Sequence, residues 1–177
     1  MHDTTIRPRA FAVWPALAAL LLAAATAFDL STGVDLAQIV AASAIVYLGS
    51  AALADPRAAW PVFLVTFVVI GVAKATGFDG TWILLALAVP VASYGLLRRR
   101  DITLQGLAML GFGAVAALAL LLDEHIGAYL VAAGLLAHTA WDIRHFRTGR
   151  VVVRSMSEFC MVLDTVLAIV VIALEIT

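Results

Sequence analysis

Charge is scarce in this chain. Only 13% of its 177 residues are Asp, Glu, Lys or Arg, against about 25% in an average soluble domain. Lys74 is the one lysine and Cys160 the one cysteine. A lone cysteine excludes an internal disulfide and leaves the redox compartment unread. The formal net charge of −1 gives no bulk attraction for nucleic acid. The last apolar run holds no lysine, which argues against a retinal-type Schiff base there. No phosphate loop, H-E-x-x-H segment or Ser/His/Asp nucleophile pattern is present. No alternating strand pattern is present either, which excludes a closed β-barrel.

What is abundant is hydrocarbon. Hydrophobic residues make up 64% of the chain and the mean hydropathy is +1.06. The excess is spread over seven Ala/Leu/Val-rich runs, at 10–28, 36–54, 58–75, 81–97, 104–122, 126–143 and 156–176. Each is near the ~20 residues that cross ~30 Å of hydrocarbon as a helix. The pattern predicts an all-α, polytopic transmembrane bundle of seven spans in a single domain. Its first partner is the lipid bilayer.

The basic residues orient it. With seven spans, Arg7, Arg9, Arg57, Arg98, Arg99, Arg100, Arg144, Arg147, Arg150 and Arg154 share one side, and only Lys74 lies on the other with Asp29, Asp35, Asp79, Asp123 and Glu124. The positive-inside rule then places the N-terminus in the cytoplasm and the C-terminus outside, in a bacterial-type inner (plasma) membrane. A rival reading takes Arg7, Arg9, the first apolar run and Ala25-Thr26-Ala27 as a cleaved secretory signal. Cleavage would leave six spans in the same orientation. Trp14, Trp60, Trp82, Tyr129 and Trp141 fall near span ends, as interface aromatics do. Trp14-Pro15 and Trp60-Pro61, with Tyr47, Tyr94 and Trp141 at 47-residue intervals, suggest either a faint repeat of helical hairpins or a consequence of similar helix lengths. Pro90 is expected to kink span four. Gly71, Gly111 and Gly113 are expected to mark close helix packing.

Against this background, ionisable side chains inside the spans stand out. His138, Asp142 and His145 follow i, i+4, i+7 spacing and share one helix face. His138 and His145 are about 10 Å apart along the axis, too far to share one metal comfortably. His138 and Asp142 with a carboxylate from another helix make a better ligand set. Asp142 alternatively orients a titrating histidine. Asp164 supplies the carboxylate: it lies about 13 Å into the last span, and His138 about 9 Å into the preceding one, so the two can face each other. A charged group at the centre of a span costs roughly 3 kcal/mol or more, so such residues seek a partner. His138, Asp142 and Asp164 are therefore the candidate catalytic or metal-binding residues, with a divalent metal such as zinc as the implied cofactor.

His145, Glu158 and Cys160 stand behind them, each with a plain structural alternative. His145 is solvated near the headgroups while Asp142 pairs with Arg144 to Arg147. Glu158 closes a capping box with Ser155. Cys160 is an inert buried thiol. Lys74 snorkels to the interface, and Arg98-Arg99-Arg100 is a stop-transfer cluster first and a lipid-phosphate site second.

The segment H-T-A-W-D-I-R-H at 138–145, with S-M-S-E-F-C-M-V-L-D at 155–164, resembles a family of uncharacterised bacterial integral membrane proteins. These carry a similar H-T-A-W-D segment followed by a Ser/Cys/Asp-containing last helix. The resemblance covers about a quarter of the chain. It implies the membrane architecture and singles out His138, Asp142, Cys160 and Asp164, but implies no activity. Phe146 stands where that family often has a second consecutive histidine, which weakens a multi-histidine metal site.

Three functional classes remain. One is a metal-dependent or acid/base enzyme, or a binder, of a small molecule or lipid, with its site open to the cytoplasmic half. The second is a proton-linked transporter or channel, which requires a polar path to the outside. The third is a structural or assembly subunit in which the polar residues only lock helices together. Homo-oligomerisation is compatible with all three.

Overall fold

The computed structural model describes residues 13–28, 30 and 32–177. Arg7, Arg9 and Asp29, used above for orientation, lie outside the described residues. Seven helices follow in order: α1 Val13–Phe28, α2 Ala37–Leu53, α3 Ala59–Thr76, α4 Gly80–Leu97, α5 Thr103–Leu121, α6 Glu124–Thr148 and α7 Arg154–Ile176. Single 3₁₀ turns at Gly33–Leu36 and Pro56–Ala58 lead into α2 and α3. Six helices, counting the first 3₁₀ turn with α2 and the second with α3, are long and apolar enough to cross a membrane; α1 is apolar but has 16 described residues. The chain is a multi-pass helical membrane protein.

The helix boundaries have local chemical causes. Asp79 and Asp123 precede α4 and α6, and their carboxylates accept from Thr81 N–H at 2.7 Å and His125 N–H at 3.0 Å. Asp55 does the same for Arg57 N–H at 2.9 Å. These caps satisfy donors that have no partner within the helix. Gly77 and Gly149 end α3 and α6 in the left-handed region, at φ +74° and +61°, as helix C-termini favour. The Arg154 Nε donates to Phe146 O at 3.2 Å, covering a carbonyl near the end of α6.

The centre of the bundle is α2. Of its spanning window, 78% is buried inside the protein, against 22–44% for the other five. It packs against α3, α4, α5 and α6, while α7 packs against α1 and α6. Ala41, Ala42, Ser43, Ala44, Gly49 and Ser50 explain this placement, because small side chains let neighbouring backbones approach. Helix α6 is drawn in the same way. A Cβ on Gly134 would lie 2.9 Å from Val115 Cγ1, and one on Gly127 only 2.3 Å from the Ala119 carbonyl oxygen.

The basic connections meet at one end: Asp55, Arg99, Arg100, Asp101 and Arg150 line one shallow cavity of about 390 Å³. At the opposite end, His125 Nδ1 and Glu175 Oε2 lie 2.6 Å apart and tie the start of α6 to the end of α7. Trp14 and Trp60, the two Trp-Pro openings, touch with ring centroids 5.3 Å apart. Helix α4 continues through Pro90.

Two packing expectations are corrected. A Cβ on Gly71 or Gly111 would meet nothing within 4 Å, so neither marks a close helix contact; Gly113, 2.9 Å from Leu85 Cδ2, does. Sequence spacing does not reveal which face of a lipid-exposed helix a glycine occupies.

Candidate functional site

Three helices bring the site together at mid-depth. Helix α6 ends at Thr148, five residues beyond the expected end of the span. His138 therefore lies ten residues, about 15 Å, from that end. Asp164 lies ten residues from Arg154 at the start of α7, the same depth. Tyr47 sits near the middle of α2.

His138, Asp142 and Asp164 are all 0% exposed. The His138 Nδ1 is 2.9 Å from Asp164 Oδ2 and 3.3 Å from Asp142 Oδ2. One carboxylate from α6 and one from α7 thus converge on one imidazole nitrogen. The Tyr47 hydroxyl donates to Asp142 Oδ1 at 2.6 Å and is 3.3 Å from Ser157 Oγ. Tyr47 and Phe112 also hold the His138 ring edge-on, with centroids 5.4 and 5.0 Å away. Ser43 of α2 adjoins Asp164 on its other side.

The cluster is incompletely satisfied. His138 Nε2 is buried without a hydrogen-bond partner, and Asp142 Oδ2 has only its 3.3 Å ion-pair contact with His138 Nδ1. Such groups are rare in native interiors and call for an explanation, an ion or water among them. Charge points the same way. Two carboxylates and a neutral imidazole sum to −2, and one proton on the ring leaves −1 in a fully buried site. One divalent cation, or two protons, brings the set to zero. The three residues offer ligand atoms within 4.8 Å of one another. Ligands about 2.0–2.2 Å from a tetrahedral ion stand roughly 3.3–3.6 Å apart, close to the 3.3 Å between His138 Nδ1 and Asp142 Oδ2.

The residues held in reserve fall elsewhere. His145 is buried rather than solvated: its Nδ1 is 2.9 Å from Trp141 O, and its Nε2 is 3.3 Å from Gln105 Nε2. A carbonyl only accepts, so Nδ1 carries the proton and Nε2 accepts from the Gln105 amide. Asp142 turns to Tyr47 and His138 rather than to Arg144 or Arg147. Helix α7 starts with Val153 as its cap residue and no side-chain cap, so the Ser155–Glu158 capping box is not formed. Ser155 is instead inside the helix and takes a hydrogen bond from Trp60 Nε1 at 3.1 Å, while Glu158 is buried. Cys160 is buried, with Sγ 3.7 Å from Met156 Sδ.

The sequence reading passed over Tyr47 as a member of the site. An aromatic in an apolar span reads as packing or belt material, and the only signal was a phenolic hydroxyl at the centre of a run of small residues.

A cavity of about 590 Å³ comes close to the cluster. It lies among α1, α2, α3 and α7, with Ser43, Cys160 and Leu163 at its deep end and Asp35, Lys74 and Asp79 at its mouth. The expectation was a site open to the arginine-rich half. Neither cavity is lined by His138, Asp142 or Asp164; the larger one approaches them from the Lys74 end, and the other is lined by arginines.

The fold and site define a multi-pass helical membrane protein with a buried His/Asp/Asp cluster. No protein family, curated protein or solved structure matches the chain.

Proposed function

We propose that His138, Asp142 and Asp164 bind one divalent metal ion of zinc's kind, and that the protein is a metal-dependent membrane enzyme or binder acting on a small molecule or lipid. The observation that carries this reading is the convergence of three fully buried side chains whose ligand atoms lie within 4.8 Å of one another, in a triad that becomes neutral with one divalent charge. Three protein ligands leave a coordination position open, the pattern of catalytic rather than structural zinc sites. Bound there, the metal would act as a Lewis acid or lower the pKa of a water ligand. Tyr47 fixes the Asp142 carboxylate through its other oxygen, as outer partners of metal ligands do. The C-terminal resemblance picks out the same His138, Asp142 and Asp164. The distribution of arginines supports a cytoplasmic N-terminus in a bacterial-type inner membrane.

A second reading is favoured by the continuous contact series Ser157–Tyr47–Asp142–His138–Asp164. In it the triad holds protons, and the protein couples their movement to transport.

Elemental mass spectrometry of untagged protein in detergent separates the two. Near-stoichiometric metal in wild type, lost in His138→Ala and Asp164→Ala variants that elute as folded protein, supports the metal reading. Metal-free, folded wild type that stays empty after incubation with zinc overturns it and sends the question to proton-coupled uptake in liposomes.

A further inference from the structure

The cavity beside the cluster has a shape that the metal reading does not require. Helix α1 packs on α7, and α3 packs on α2 and α4. At the arginine end α1 and α3 are joined by the Trp14–Trp60 ring contact. Towards the other end they line opposite walls of the 590 Å³ cavity, Leu22 and Ala25 on α1 facing Phe67 and Ile70 on α3. The result is a cleft, closed at one end and floored by α2 and α7.

Its lining is graded. The walls are mostly aliphatic and aromatic, with Thr26 and Thr66 among them, while Asp35, Gln38, Lys74 and Asp79 gather at the mouth. Apolar cavities do not hold water well, and in a membrane the surrounding solvent is hydrocarbon. The depth is informative too. From Lys74 at the mouth to Phe63, eleven residues along α3, is about 16 Å. Half of a ~30 Å hydrocarbon core is about 15 Å, so the cleft is as deep as one leaflet.

We propose that this cleft binds the acyl chain of a single membrane lipid drawn from the leaflet on the Lys74 side. The headgroup lies at the height of Lys74, Gln38 and Asp79. The chain runs between α1 and α3, and its end reaches Ser43 and Cys160, next to Asp164. The proposal rests on the cavity and the bilayer alone and does not need an ion at the triad.

The test uses full-length protein in nanodiscs of phosphatidylcholine carrying a photoactivatable diazirine midway along one acyl chain, with adducts mapped by mass spectrometry. Ser43 and Leu163 are buried within the protein yet keep a little surface, 6% and 4%, towards the cleft they line. A chain outside the bundle cannot reach them. Adducts at Ser43 and Leu163, in excess over Leu107 and Leu110 on the exposed face of α5, are the expected result. Gly71 lines the cleft, and a Cβ there meets nothing within 4 Å. Gly71→Phe therefore plugs the cleft and should abolish these adducts. Gly111→Phe, at an equally open position on α5, should leave them intact. Labelling no stronger in the cleft than on α5, or cleft labelling that survives Gly71→Phe, overturns the proposal. Metal content measured in the same samples keeps this outcome separate from that of the triad.

Discussion

Replacing Tyr47 with Phe removes one oxygen from the centre of the bundle and keeps the ring. That ring is 1% exposed and packs edge-on against His138 and His145, so the substitution opens almost no space. What is lost is the 2.6 Å hydrogen bond to Asp142. O–H···O⁻ bonds of about 2.5–2.7 Å are the strong, charge-assisted kind. Without it, Asp142 Oδ1 is left buried and unpaired, which costs about 1–3 kcal/mol. If Asp142 is a metal ligand, the loss falls on the ligand's orientation, and zinc affinity should drop by about 10–100-fold, or about 1.4–2.8 kcal/mol. The assay is competition with a fluorescent zinc chelator in detergent. Tyr94→Phe, on a partly exposed tyrosine near the arginine end, serves as control. Unchanged zinc affinity in Tyr47→Phe, alongside lost binding in His138→Ala, would refute the reasoning that Tyr47 holds a ligand in place.

Stability can be followed through Cys160, the only thiol and a buried one, with a dye that reacts on unfolding. In that assay, Gly127→Ala should cost about 1–3 kcal/mol, because its methyl would meet the Ala119 carbonyl at 2.3 Å and backbone must move. Gly111→Ala, with open space around its Cβ, should be neutral or stabilising by up to about 1 kcal/mol; a loss there would contradict the lipid-facing placement. Trp60→Phe keeps the ring contacts but removes the 3.1 Å bond to Ser155, for a loss of about 1 kcal/mol. His138→Ala in metal-free protein should cost about 3–5 kcal/mol by leaving two carboxylates without their shared partner. Adding Asp164→Asn should return part of that loss, and a strictly additive double variant would show that the two residues are not coupled.

The spans were legible because hydropathy is a property of whole segments. Seven apolar runs separated by polar residues leave few alternatives, and most boundaries differ by only a few residues. The exception, the C-terminal end of α6, ran past Ile143 because charged side chains at 144 and 147 continue a helix as readily as they end an apolar run. His138 and Asp164 could be paired from depth alone, since both distances are counted along helices. Tyr47 could not, because its partner lies 95 residues away and no helical spacing connects them. Glu158 misled for the opposite reason. Its spacing from Ser155 fits a cap, but the helix begins one residue earlier, and Val153 N–H is tied to Pro56 O at 3.2 Å, a contact between distant segments.

The packing of α1 against α7 carries a consequence for assembly. During synthesis the first helix is made before its principal partner exists, and five further helices are made before the two can meet. The triad follows the same timetable. Tyr47, His138 and Asp142 are in place once α6 is made, yet Asp164 arrives only with α7. Up to that moment His138 faces a single carboxylate. Completion of the triad and closure of the bundle are therefore one event, and a ribosome stalled before α7 would hold a chain with α1 unpacked and the centre unformed.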